Sequence, residues 1–253
     1  MFHKLNLCLG LSLFGLLAVS GAASPAHSPE VSDYDIMMEA FEAAEISHSK
    51  ALDDAKDKSE RRALRKAHPA YTYFQRFTRL AERGEGQAHL WLIGHTRYGE
   101  GKAAERRERQ ALSARTLVAE HLSAPWFEEA IPSLLQCRRS LGEDALCQLL
   151  ETVTTKSEEA NVCAAAALAL AGRLAQSKDP EQRTAGYGWY EHICTTWPDS
   201  RYAKEARPAY NRARYLTVGG EPLEFVAKTV DGRAFKLSDF RGKVVVLDFW
   251  GFW

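Results

Sequence analysis

The chain has no charge of one sign to spare: its 253 residues carry 33 lysines and arginines against 33 aspartates and glutamates. That balance gives no reason to expect nucleic acid or an anionic membrane surface as a partner. The local basic runs, Arg61-Arg62 with Arg65-Lys66 and Arg106-Arg107 with Arg109, are interleaved with glutamates and read as solvated helix faces. There is no H-E-x-x-H, no G-x-S-x-G and no glycine-rich phosphate loop. The sequence therefore makes no case for a metal, serine-nucleophile or nucleotide enzyme. His89 and His95 stand six apart, off a shared helix face. Cysteine is sparse. Beyond Cys8 there are only Cys137, Cys147, Cys163 and Cys194; none forms C-x-x-C, and none has a nearby histidine at metal-ligand spacing. No cofactor is expected.

What is present begins with a targeting segment, residues 1–23. Lys4 supplies a basic start, Leu5 to Val19 is apolar, and Ser20-Gly21-Ala22-Ala23 offers small residues for cleavage. This is the pattern of a signal peptide rather than a membrane anchor, which needs about 20 apolar residues. The mature protein is expected to be exported to the periplasm or cell envelope of a bacterium, with no stable membrane insertion after cleavage. Oxidising surroundings permit disulfides. All four remaining cysteines fall in helical patterns, which favours core packing or one structural bridge over redox catalysis.

Ser24 to Ser32 reads as a linker, and residues 33–215 read as a helical domain. Met37, Phe41 and Ala44 form one apolar stripe, in a helix expected to run on through Lys50 to Lys66 until Pro69 breaks it. Tyr71, Phe74, Phe77 and Leu80 mark the next helix, ending near Gly84 as a C′ glycine. Leu90 to Leu92, Lys102 to Leu122, Glu143 to Val153 and Ser157 to Ala175 are further helical stretches. Asp179-Pro180-Glu181-Gln182 combines an N-cap, a proline at N1 and a capping-box glutamine. Trp197 to Ser200 ends that helix and caps the next. Ala185, Tyr190, Pro198, Ser200, Ala203 and Ala206 resemble one tetratricopeptide-type helix pair, without a second copy in register. A mainly α helical bundle or α-solenoid is expected, packing Trp91, Trp126, Phe127, Trp189 and Trp197.

The composition changes at Thr217. Leu223 to Val230 and Arg233 to Leu237 are β-rich and joined by Asp231-Gly232, a hairpin signal. Ser238 to Lys243 reads as a loop, and Val244 to Leu247 as a strand buried on both faces.

From Val218 to Trp253 the chain resembles the opening of a thioredoxin-like redoxin domain, of the TlpA-like and AhpC/TSA-like thiol–disulfide oxidoreductase group. Val218, Gly219, Phe225, Asp231, Gly232, Leu237, Ser238, Gly242, Lys243, Phe249 and Trp250 match that pattern in order and spacing. Leu223 departs from it, with Pro222 displaced by one, as does Gly251. Peroxiredoxins share the opening but carry P-x-x-x-T-x-x-C, and Trp250-Gly251-Phe252-Trp253 has no proline. The resemblance implies that residues 218–253 are the hairpin and first core strand of an incomplete α/β domain, with the nucleophile of C-x-x-C falling directly after Trp253. The 253 residues themselves then lack the catalytic thiol. Position 254 is expected to be selenocysteine, encoded by UGA and followed two residues later by a resolving cysteine. A nonsense mutation at a cysteine codon or a sequencing fragment are the alternatives.

Asp248 is unexpected in so apolar a run, because burying a carboxylate is costly unless it is paired or protonated. By resemblance it is the buried proton acceptor for the resolving thiol, its pKa raised by desolvation. The alternative is a solvated Asp at a strand end. Trp250, Gly251, Phe252 and Trp253 flank the site. The two tryptophans would wall it for substrate peptides, or pack the core, which is expected for Trp250. The function implied is an exported thiol–disulfide oxidoreductase acting on protein thiols and disulfides. The other reading is a helical protein-interaction module, of unknown partner, with a non-catalytic redoxin remnant.

Overall fold

The computed structural model describes residues 32–248 and 250–251. The expected signal peptide, and the site positions Phe252 and Trp253 with Phe249, lie outside the described residues. The compact unit containing all the described elements runs from Asp33 to Trp253.

Helices fill it as far as Tyr215. They are α1 (Asp33–Asp54), α2 (Lys58–Lys66), α3 (Pro69–Glu82), α4 (Gly86–Gly94), α5 (Ala103–Glu120), α6 (Ala130–Gln136), α7 (Arg138–Leu141), α8 (Glu143–Lys156), α9 (Ala160–Ala175), α10 (Pro180–Thr196) and α11 (Arg201–Tyr215). Single 3₁₀ turns at Thr96–Tyr98 and Phe127–Glu129 lead into α5 and α6. Each helix packs chiefly on its sequence neighbours and on the next but one.

The first helix does not run through to Pro69 as its sequence suggests. It stops at Asp54, and Asp57 starts α2 by accepting hydrogen bonds from the Ser59 and Glu60 amides at 2.7 and 2.8 Å. A side chain that caps so well competes with continuation of the helix. Pro69 opens α3 at N1 behind the cap residue His68, whose Nδ1 accepts from the Ala70 amide. Gly84 ends the α3 turn with φ 94°, the left-handed conformation that glycine adopts without strain. Asp179 caps α10 as expected, accepting from Glu181. The capping box does not close, because Gln182 instead accepts from the Ser177 hydroxyl.

Two cores form. Phe41, Phe74, Phe77, Leu80, Trp91 and Tyr98 lead the first, where Trp91 stacks on both Phe77 and His95 with 4.0 Å between ring centroids. The second joins α4 to α11 through residues such as Phe127, Leu146, Leu150, Leu170 and Ile193. Trp126, Trp189 and Trp197 are only partly buried against it. In its centre the alanines of α9 let helices approach closely, and Gly186 of α10 lies against the α9 backbone.

After α11 come β1 (Val226–Lys228) and β2 (Ala234–Lys236), an antiparallel pair with Ala227 opposite Phe235, then a 3₁₀ turn at Leu237–Phe240. The strands are shorter than the β-rich stretches that announce them. The expected third strand is absent: Val244 to Leu247 makes no ladder, and Val244 is 95 % exposed. No described strand lies beside it, since β1 and β2 pair only with each other. Without such a neighbour its backbone groups bond to water and its apolar faces have nothing to bury against. No described residue beyond Ala206 is buried.

Candidate functional site

The carboxy-terminal segment is built from local hydrogen bonds. The Gly232 amide donates to the Thr229 carbonyl at 2.9 Å, and the Thr229 amide donates to the Arg233 carbonyl at 2.8 Å. Gly232 has φ 83°. The loop is thus a three-residue turn closed by a glycine bulge, the geometry that suits Asp-Gly between right-twisted strands. Glu224 ties the hairpin to the 3₁₀ turn, its Oε1 accepting from the Ser238 and Phe225 amides at 3.1 and 3.2 Å. Hydrogen bonding from the Ser238 side chain, and then from the backbone amides, holds the Glu224 carboxyl below its ordinary pKa. Phe240 meets Phe235 edge to face at 5.7 Å. Gly242, with φ 80°, turns the chain into the apolar run.

That run leads into the predicted site residues, and those of them that are described lie in the open. Asp248 is exposed. Trp250 is 73 % exposed rather than packed in a core, and Gly251 is exposed beside it. The nearest concave surface in this segment, about 330 Å³, lies between Pro222, Glu224, Leu237, Phe240 and Val245.

The helical domain holds four described cysteines, three buried and one half-buried. All four are free thiols, so packing, not a bridge, is their role. Cys137 donates to the Ser133 carbonyl at 3.5 Å, Cys163 to Ser157 at 3.2 Å and Cys194 to Ala203 at 3.7 Å. Burial pushes the Cys137 thiol up to about 12 and raises the other three. Cys147, the least buried, is raised by desolvation and then by the Glu143 carboxylate nearby. A thiol kept protonated at neutral pH is a poor nucleophile and a poor metal ligand. Among the described residues no cluster of three or more His, Cys, Asp or Glu is arranged to hold a metal. Nor is any described helix long and apolar enough to cross a membrane.

The chain matches no protein-family model, no curated protein and no solved structure.

Proposed function

We propose that residues 218–253 open a thioredoxin-like redoxin domain carried on a helical domain, and that the complete protein is an exported thiol–disulfide oxidoreductase. The observation that carries this reading is the motif from Val218 to Trp250, matched in order and spacing at independent positions. Its backbone gives physical support. The motif's glycines at 232 and 242 both occupy left-handed conformations that other residues adopt only with strain. The exposed run Val244 to Leu247 is a strand sequence in want of neighbours, as the first core strand of a larger sheet would be. The neighbour-on-neighbour packing of α1 to α11 favours a tetratricopeptide-like solenoid for the helical part.

On this reading the nucleophile, cysteine or selenocysteine, follows Trp253. Its anion attacks one atom of a substrate protein disulfide. The substrate S–S bond breaks, a mixed disulfide forms, and the departing thiolate takes up a proton. A resolving cysteine then attacks the mixed bond, releases the reduced substrate and gives up its own proton. Asp248 is the proposed acceptor once the completed sheet buries it.

The gene downstream of Trp253 tests this. The reading requires an in-frame UGA or cysteine codon, then x-x-Cys and the remainder of a redoxin domain. For selenocysteine it also requires an insertion hairpin in the message. The full product should then reduce insulin disulfides, and a serine at the resolving position should trap the mixed disulfide. A UAA or UAG codon with no redoxin sequence beyond would leave the interaction-module reading.

A further inference from the structure

A second site lies in the helical domain, where α1, α2 and α3 meet the 3₁₀ turn at Thr96–Tyr98. A pocket of about 360 Å³ opens there. Two arginines (Arg65, Arg97), two histidines (His48, His68) and two tyrosines (Tyr71, Tyr98) line it, with Leu52 the one aliphatic side chain. No carboxylate does.

Tyr98, buried, is the pocket's floor. His68 stacks on its ring at 4.5 Å, Tyr71 meets it edge-on at 5.0 Å, and the Arg97 guanidinium lies 4.6 Å over it while donating to its hydroxyl. His48 packs against His68 at 5.0 Å. Backbone partners fix both tautomers. His68 Nδ1 accepts from the Ala70 amide, so its Nε2 carries the proton. His48 Nε2 lies 2.9 Å from the Leu64 carbonyl, which only accepts, so that nitrogen is a donor already in use. Glu45 Oε1, 3.7 Å from His68 Nε2, is beyond hydrogen-bond length, which leaves that N–H to a ligand.

The charges are out of balance. Glu45, whose Oε1 is 3.7 Å from His68 Nε2, is the carboxylate that acts on His68. Against it stand the guanidiniums of Arg65 and Arg97, which both line the pocket. Burial first, and then His48, outweigh Glu45 and hold His68 below its ordinary pKa, with Arg97 and His95 acting in the same direction. Positive groups gathered at a concave surface without their counter-charges concentrate anions. Two planar guanidinium forks and an imidazole N–H suit the oxygen pattern of phosphate or carboxylate groups. The volume falls in the usual range for small-molecule sites, roughly 300–1,000 Å³.

We propose that this pocket binds a small, multiply charged oxyanion, a phosphate or polycarboxylate compound, gripped by Arg65 and Arg97 with His68 Nε2–H as the third donor. The inference is independent of the redox reading, because every residue in it belongs to the helical domain.

Calorimetric titration of the whole chain with inorganic pyrophosphate and, separately, with citrate tests it. At least one probe should bind saturably, one to one, at millimolar or lower concentration, and the stronger of the two tells phosphate from carboxylate chemistry. Arg65→Gln and Arg97→Gln should each weaken that binding about tenfold, and added salt should weaken it in the wild type. Saturation should raise the His68 pKa read from its ring protons by NMR, because the anion offsets the repulsion from Arg97 and His48. Arg65 sits on an exposed helix, so Arg65→Gln decides the matter if Arg97→Gln does not fold. No saturable heat with either probe, or binding that Arg65→Gln leaves unchanged, would overturn the proposal.

Discussion

Gly186 of α10 faces the backbone of Ala175 at the end of α9, and a Cβ there would lie 2.9 Å from the Ala175 Cα, with the Ala175 amide nitrogen nearer still. Two residues on, Gly188 has nothing within 4 Å of the same position. Alanine is ordinarily about 1 kcal/mol better than glycine inside a helix. Gly188→Ala should therefore stabilise the protein by about 0.5–1 kcal/mol. Gly186→Ala should lose about 1–3 kcal/mol, because α9 must move away. Urea midpoints of the two variants check this, and equal shifts of one sign would contradict the packing.

Stability should fall in two steps on acidification. Burial holds His68, His89 and His95 below their ordinary pKa of 6.5. A group lowered on folding contributes its full share above the unfolded value and loses it as pH falls through the folded one. The first decline therefore begins near pH 6.5 and runs down to the lowered histidine values. Glu143 follows below its ordinary 4.5, held down first by its hydrogen bond from Arg173. Chemical denaturation at a series of pH values should show both, and stability that stays flat between pH 7 and 5 would contradict the first.

Arg173 grips Glu143 with two bonds, Nε to Oε1 at 2.7 Å and Nη2 to Oε2 at 2.8 Å, joining α9 to the first turn of α8. The carboxylate is 41 % exposed, so solvent screens the pair. Glu143→Gln should cost about 0.5–1 kcal/mol at neutral pH and remove the lower-pH step described above. A thermal melt at pH 7 and at pH 4 separates the two effects.

The four thiols should react slowly with iodoacetamide at pH 7.5, with Cys137 slowest and Cys147 fastest, in keeping with their burial. Mass spectrometry of the alkylated peptides gives the order. Rapid labelling of Cys137 in the native protein would contradict its place in the core.

Amide exchange should be fast after Thr217, since no described residue beyond Ala206 is buried. The hairpin bonds between Ala227 and Phe235 should give the segment's only measurable protection. Strong protection of Val244 to Leu247 would mean that another surface completes the sheet.

Much of the helical part was legible because caps and breakers act locally: Asp179, Ser200, Gly84 and Gly232 each do what their residue type suggests. The break at Asp57 was not, because an aspartate inside a charged run looks the same whether it caps or merely solvates. The apolar run after Gly242 carried the opposite error. Its composition states a preference for burial, but burial needs a neighbour, and no local pattern says whether one is there. The anion pocket was illegible for a third reason. His48 and His68 are twenty positions apart and Arg97 lies further still, so only the packing of α1, α2 and α3 brings them to one surface.

Nine residues of α4 divide the two cores. Ala88, Trp91 and Leu92 belong to the first and Ile93 to the second, so the helix is a shared partition rather than a member of either. Neither half can melt without stripping one side of it. A short helix with no exposed amphipathic face of its own thereby sets the size of the cooperative unit and makes the amino-terminal helices hostage to the stability of those that follow.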